Sequence, residues 1–319
     1  MAASIPVSPS EEGTRLSRWF IRHYPGMPMR EFHRLCRGGQ IRVNSSRVHG
    51  NENLKSGDVI RIPPTIDAYR VGVKKGEGGD NYSLADLEEL RQCIIHDDAD
   101  IVVFNKPAGL AVQGGTGIRK SVDKMAAAMY PYDKISLVHR LDRDTSGVLV
   151  VAKNQIAAQN LARAFQDKTA HKQYLALLAG HVNPPRGTID NYLIKGDVVD
   201  NPRRINDGPR PQRAITDYTV LSSAGDMTWI SFAPHTGRTH QLRLHSAKTL
   251  NAPIVGDALY GGVGELSNAV ASVVPKNKLF LFAYKITFMH PRTGRMVTMR
   301  AIVPEFMTPV LKLLEFQIP

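Results

Sequence analysis

The string Val138-His139-Arg140-Leu141-Asp142-Arg143-Asp144-Thr145-Ser146-Gly147 crowds acids, bases and hydroxyls into one stretch and runs directly into Val148-Leu149-Val150-Val151-Ala152. The apolar run is rich in β-branched residues and reads as a buried strand. A charged segment feeding such a strand sets carboxylates and guanidiniums at the edge of a core, where a rigid element can hold them for chemistry. Asp142 and its neighbour Asp144 are the carboxylates available for nucleophilic or proton-transfer work. Ser146 invites a hydrolase reading, but Asp144 stands where the Gly-x-Ser-x-Gly elbow needs its first glycine.

A second reactive stretch is Pro234-His235-Thr236-Gly237-Arg238-Thr239-His240-Gln241-Leu242-Arg243-Leu244-His245, entered from the strand-like Trp229-Ile230-Ser231-Phe232. Its histidines recur at every fifth position, whereas two ligands on one helix face need a spacing of four, so no metal is expected. Gly114-Gly115-Thr116-Gly117-Ile118-Arg119-Lys120-Ser121 approaches a phosphate-binding loop, but Arg119 occupies the glycine position that lets backbone wrap the phosphates. No dinucleotide fingerprint appears, and no cofactor is expected.

The chain has 319 residues, enough for two domains, and a hydrophobic fraction of 42% that supports a sizeable core. Its net charge of +12 points to a polyanionic partner. A membrane is the weaker choice, because no apolar run reaches the roughly 18 residues of a spanning helix. The first ten residues lack the basic and apolar regions of a secretory signal, and Glu11 and Glu12 argue against a transit peptide. Two distant cysteines, Cys36 and Cys93, exclude a disulfide framework and a cysteine-based zinc site and fit a reducing cytoplasm.

The elements that must position the reactive stretches read as follows. Residues 1 to 13 form a flexible tail. Thr14 caps a helix with Leu16, Trp19 and Phe20 on one face, which Pro25-Gly26 breaks. A second helix from Pro28 turns Phe32, Leu35 and Cys36 inward and ends at Gly38-Gly39. Arg30, Arg34 and Arg37 recur on one face of it, a stripe suited to phosphate contacts. Short strands at 41–43 and 59–62 follow, and 64–89 reads as a linker holding Lys74-Lys75 and Gly76-Glu77-Gly78-Gly79-Asp80. Beyond it come the strand Ile101-Val102-Val103-Phe104, a turn at Asn105-Lys106-Pro107-Ala108-Gly109, an amphipathic helix marked by Ile156, Asn160, Leu161, Ala164 and Phe165, and the strand Lys172-Gln173-Tyr174-Leu175-Ala176-Leu177. Residues 183 to 214, with Arg203, Arg204, Arg210 and Arg213, look like a surface insertion. Strands near 279–289 and 296–303 form a hairpin, and a last helix carries Val310, Leu311 and Leu314. Unequal helical insertions between strands indicate an α+β class.

These strings resemble a known family. His-Arg-Leu-Asp-Arg-Asp-Thr-Ser-Gly is similar to the catalytic motif of the RluA-type pseudouridine synthases, and Asn-Lys-Pro-x-Gly, Lys-x-Tyr-Leu-Ala-Leu and Gly-Arg-Thr-His-Gln-Leu-Arg resemble its other motifs. The resemblance runs from Leu16 to Pro304, and Gly-Gly-Thr-Gly looks most like the RluC-like subgroup acting on large-subunit ribosomal RNA. Residues 14–63 resemble an S4-like RNA-binding domain, which leaves 90–319 as the catalytic domain. The resemblance implies a mixed, largely antiparallel sheet with a central cleft. It also implies isomerisation of uridine to pseudouridine, with no cofactor and in a monomer. By motif position Asp142 is the catalytic carboxylate, Tyr174 stacks on the target base, and Arg243 holds Asp142 ionised. Leu242 packs against the base, and Arg140 fills the space that a flipped base vacates. Transfer RNA as substrate, or a non-catalytic ribosome-associated RNA-binding protein, are the competing readings. The second does not require the Asp142, Tyr174 and Arg243 set.

Overall fold

The computed structural model describes residues 3–24, 27–69, 82–115, 117–194, 196–199, 210–261 and 267–319. The linker strings at 74–80, the Pro25-Gly26 break and Arg203 and Arg204 lie outside the described residues. The chain divides into two compact units, Met1–Glu88 with Lys124–Lys134, and Glu89–Asp123 with Ile135–Pro319.

The first unit is built on a four-stranded antiparallel sheet that shares its core with two helices. Its strands are β1 (Ala3–Pro6), β2 (Arg42–Val43), β3 (Ser46–Arg47) and β4 (Val59–Ile62), in the order β1-β4-β2-β3. Helices α1 (Leu16–His23) and α2 (Met29–Arg37) bury the expected Leu16, Trp19, Phe20, Phe32, Leu35 and Cys36 against Ile41, Ile60 and Ile62. The expected tail is instead structured. β1 pairs with β4 along its length, Val7 is buried, and Glu11 accepts from the Ser8 backbone N–H and bonds His23 at 2.6 Å. The first helix starts at Leu16 with Arg15, not Thr14, at its cap. Tyr132 donates to the Met27 carbonyl at 2.6 Å, tying the 124–134 segment into this unit.

The second unit is built on one large sheet. Helix α3 (Leu84–Gln92) begins in the first unit and ends in the second, and most of α4 (Val122–Met129) belongs to the first; the second unit opens with β5 (Ile94–Asp97), β6 (Ile101–Lys106), β7 (Ser136–Leu137) and β8 (Ser146–Ala152). After α5 (Gln155–Gln166) come β9 (His171–Ala179), β10 (Arg186–Ile194), β11 (Asp197–Val199), β12 (Gln212–Ala224) and β13 (Met227–Pro234). Then follow α6 (Gln241–Leu244), α7 (Asn268–Val273), β14 (Leu281–Met289), β15 (Met296–Arg300) and α8 (Thr308–Leu313). The sheet runs β11-β10-β12-β13-β9-β14-β8-β6-β5, with β15 on β14 and β7 on β8. All its pairings are antiparallel except β14 with β8. This is the expected mixed α+β architecture. The expected hairpin pairs Met289 with Met296.

Two expectations change. Residues 186–194 are not surface insertion but strand β10, whose Ile189, Asn191 and Leu193 face inward while the residues between them do not, a half-buried alternation. On α5 the inward residues are Ala157 and Leu161, and Ile156 is 69% exposed. That helix is capped by Asn154, whose side chain accepts from the Ala157 N–H at 2.9 Å.

The middle of the sheet is set by one glycine. Gly147 has φ +113°, and a Cβ there would stand 2.2 Å from the Ala283 carbonyl oxygen. Only a residue without a side chain lets β8 and β14 meet. Register then aligns Phe232, Tyr174, Ala283, Gly147 and Lys106 in one row across β13, β9, β14, β8 and β6. Gly147→Ala should therefore cost about 3 kcal/mol or more, from overpacking and backbone strain together. A urea unfolding midpoint unchanged from that of the natural chain would refute the contact.

Candidate active site

The motif loop ends in a β-turn, with the Asp142 carbonyl accepting from the Thr145 N–H at 3.1 Å. Aspartate suits the first position of such a turn. The turn is fastened from below by Lys106. This lysine is fully buried, and its Nζ donates to the carbonyls of Pro107, Leu110 and Arg143 at 2.9, 2.8 and 2.9 Å. Burial pushes the Lys106 ammonium down to about 7, against the pull of the Asp144 and Asp142 carboxylates. Three carbonyl acceptors use all three protons of an ammonium, so the geometry is that of the charged form. Gly109 and Arg143 complete the fastening: the Gly109 N–H donates to the Arg143 carbonyl at 2.9 Å, and Arg143 Nε returns a bond to the Gly109 carbonyl at 3.0 Å.

His139 has a structural place. Its Nε2 accepts from the Val150 N–H at 2.9 Å, and its ring stacks on Phe165 at 4.7 Å. Burial, with Lys172 adding, pushes the imidazole down to about 3, so it stays neutral and serves as an acceptor.

A cavity of about 480 Å³ opens above this loop, and Asp142, Tyr174, Leu242, Arg243 and Arg140 all line it. Asp144 does not line it. Asp142 is half-buried, and its carboxylate accepts no hydrogen bond from a described residue. Tyr174 forms part of the floor. Burial, with the Asp142 charge adding, pushes its phenol up, so it is protonated at neutral pH. Arg140 is exposed at the mouth, where its Nη2 donates to Thr239 Oγ1 at 2.9 Å.

The other wall is the 236–243 segment. His240 sits in the left-handed region at φ 53° and starts α6, which continues as a π-helical turn over His245–Thr249. Gln241 sews the wall to the sheet: its Oε1 accepts from Thr236 Oγ1 and the Arg238 N–H, and its Nε2 donates to the Ile215 carbonyl and Thr216 Oγ1. The three histidines go to separate partners, His235 to Asp217, His240 to Tyr260, and His245 to Thr216 and Asn191.

Arg243 departs from expectation. Its guanidinium forks onto Asp257, Nε to Oδ2 at 2.7 Å and Nη2 to Oδ1 at 2.6 Å, rather than onto Asp142. Both side chains are almost fully buried, and Asp257 also accepts from the backbone of Leu259 and Tyr260. Asp257 wins because its carboxylate is fixed at a turn where Gly256, φ +77°, passes so close to Lys278 that a Cβ would stand 1.9 Å from its carbonyl oxygen. Burial pulls the Arg243 guanidinium down, but the Asp257 carboxylate, with Asp142 adding, holds it above its ordinary value. Asp142 thus feels Arg243 as a nearby charge without spending its oxygens on it. The sequence reading missed Asp257, Lys106 and His139 as supports. The glycine before Asp257 and the lone lysine closing an apolar strand were the available signals.

Arg30, Arg34 and Arg37 are exposed on α2 in the other unit. Arg34 is forked onto Glu31 at 2.8 and 2.5 Å, and Arg30 and Arg37 have no carboxylate partner among the described residues.

Comparison with known proteins places the chain in a family. Residues 100–248 match the family model described as RNA pseudouridylate synthase. The chain is 33% identical to ribosomal large subunit pseudouridine synthase C of Vibrio cholerae, over 93% of this chain and 92% of that protein. It is 32% identical to the protein of the same name from Haemophilus influenzae, over 97% and 94%. Among solved structures, human RNA pseudouridylate synthase domain containing 4 superposes with a TM-score of 0.60 at 26% identity, covering 73% of this chain and 97% of that one. Identity of 32 to 33% to such relatives over more than nine-tenths of the chain makes it a member of the RluA-type pseudouridine synthase family, isomerases that act on RNA.

Proposed function

We propose that this chain converts specific uridines of large-subunit ribosomal RNA to pseudouridine in the cytoplasm, as a monomer without a cofactor. The substrate follows the names of the relatives that match nearly the whole chain, and the net charge of +12 suits a polyanion. Among the described residues no helix is long and apolar enough to cross a membrane. The observation that carries the reading is the Asp142 carboxylate, unpartnered among the described residues in a cleft it shares with Tyr174, Leu242 and Arg243. Asp142 acts on the flipped nucleotide, by attack at C1′ or by proton abstraction from the sugar, while Tyr174 and Leu242 sandwich the base. Arg140 leaves Thr239 to fill the gap in the RNA stack, where its planar guanidinium can take the base's place. Residues 14–63 serve as an S4-like RNA-binding domain, joined through 64–89 to the catalytic domain at 90–319.

Chemical mapping of pseudouridine on ribosomal RNA treated with the protein tests the substrate; conversion confined to transfer RNA would reassign it. Asp142→Asn should abolish product while RNA affinity stays within a few-fold, because the amide is nearly isosteric and removes no cation. Product formed at the natural rate would exclude Asp142 as the catalyst.

The Arg243–Asp257 pair separates fold from chemistry. Arg243→Met strands a buried carboxylate and should cost about 3 to 5 kcal/mol of stability. Arg243→Met with Asp257→Leu should recover most of that stability. The single-turnover rate should stay depressed, since no guanidinium then sets its positive charge near Asp142 in the cleft. A doubly substituted protein turning over normally would reduce Arg243 to a structural residue.

On α2, Arg30→Gln with Arg37→Gln should flatten the slope of log affinity against log salt by about 1.4 to 1.8, from two lost phosphate contacts. An unaltered slope would remove that face from the RNA interface.

A further inference from the structure

Most charged side chains lining the cleft are committed. Arg243 is paired with Asp257, Arg140 is bonded to Thr239, Arg238 Nε donates to the Arg213 carbonyl at 3.2 Å, and His235 pairs with Asp217. Lys168 is exposed at the rim. Two half-buried charges remain without a hydrogen bond or ion pair to any described residue, Asp142 and Lys172. They make no ion pair with each other among the described residues.

Lys172 lies two residues before Tyr174 on β9, so both side chains leave the same face of the strand, roughly 6.5 Å apart. Its Nζ reaches the opposite wall at Gly237, 4.0 Å from where a Cβ would stand. Burial pushes the Lys172 ammonium below its ordinary value. An ammonium taken from water with no counter-charge is unfavourable. The arrangement becomes productive when a reacting group beside it gains negative charge, because the interaction is then stronger in the transition state than in the ground state.

We propose that Lys172 is a further catalytic residue, whose ammonium hydrogen-bonds the uracil ring seated on Tyr174 and stabilises the charge that the ring acquires as the C1′–N1 bond breaks. The inference rests on the pseudouridine synthase reading above. The bonding pair leaves with the ring and spreads over N1, O2 and O4, while Asp142 takes up C1′ or a sugar proton. When ring carbon 5 bonds to C1′, that pair forms the new bond, and Asp142 either leaves C1′ with its own bonding pair or returns the proton it took from the sugar. The proton on carbon 5 is then lost and one is gained at N1, so Lys172 need transfer none. Backbone phosphates are the other anions in reach of a lysine. The exposed Lys168, Arg238 and Arg140 at the mouth suit them, whereas Lys172 stands inside, beside the base seat.

The test uses a stem-loop of large-subunit ribosomal RNA carrying either uridine or 5-fluorouridine at the modified position. Fluorine makes the departing ring a weaker base and less dependent on help. Single-turnover consumption of the parent nucleoside at saturating RNA is followed by nuclease digestion and mass spectrometry. Lys172→Met should slow uridine about 10²- to 10³-fold, with melting temperature and RNA affinity little changed. The deficit should shrink at least about tenfold on 5-fluorouridine, and Lys172→Arg should restore most of the rate. Equal deficits on the two rings would overturn the proposal. So would a deficit that vanishes when a phosphate flanking the target is replaced by a methylphosphonate, which would make Lys172 a phosphate contact. A natural chain that converts no uridine in any RNA would instead overturn the reading on which the proposal stands.

Discussion

The close approach of β8 to β14 at Gly147 is the constraint on which the site depends. Where a side chain would strike the Ala283 backbone, its absence lets two strands run parallel in a sheet otherwise paired antiparallel. The charged turn that begins β8 is thereby delivered to the middle of the sheet, one strand away from β9 and Tyr174. Lys106, in register with Gly147 on the other side, reaches from the same row to hold that turn by three carbonyls. Shape and electrostatics here have one origin: the row that fixes the backbone also carries the ammonium that fastens the loop.

The wall opposite solves a different problem. A carboxylate that spent its oxygens on an arginine would have none left for a substrate. In this chain Asp257 takes the fork of Arg243, and Asp142 keeps the benefit of a neighbouring positive charge at longer range. A buried ion pair contributes little net stability and serves chiefly to hold charge in one geometry. The cleft keeps its free carboxylate and its free ammonium on separate elements, the 142–145 turn and β9, and so remains polarised.

Convergence of Asp142, Tyr174, Leu242 and Arg243 on one cleft was legible only through the resemblance of their motif strings to the family, since the loop before β8, β9 and α6 that carry them lie far apart in the sequence. The supports were less so. Asp257 competes for Arg243 only because Gly256 follows a left-handed path against Lys278, a tertiary fact with no periodic signature. His139 carried no sequence signal of its role as a backbone acceptor, which it plays beneath the ring of Phe165. At the N-terminus, Ile5 and Val7 alternate over too few residues to announce a strand, and β1 forms because β4 offers an edge. In β10 the exposed Arg186 and Asp190, and a buried asparagine between Ile189 and Leu193, hid the alternation of those two residues.

The parallel pairing also dictates the order in which the molecule can be assembled. Residues 147 and 283 are 136 positions apart, while β6 and β9, which flank β8 and β14, are already present in the first 179 residues. Contacts so distant in sequence form late, after a large loop has been closed. Until β14 is available, β8 and β9 expose the backbone edges that it will occupy, and such edges invite pairing with other chains. A nascent or truncated chain lacking its last 40 or so residues would hold every motif of the cleft and none of its geometry. Competence therefore arrives late, with the strand that contributes Ala283 and no proposed reactive group.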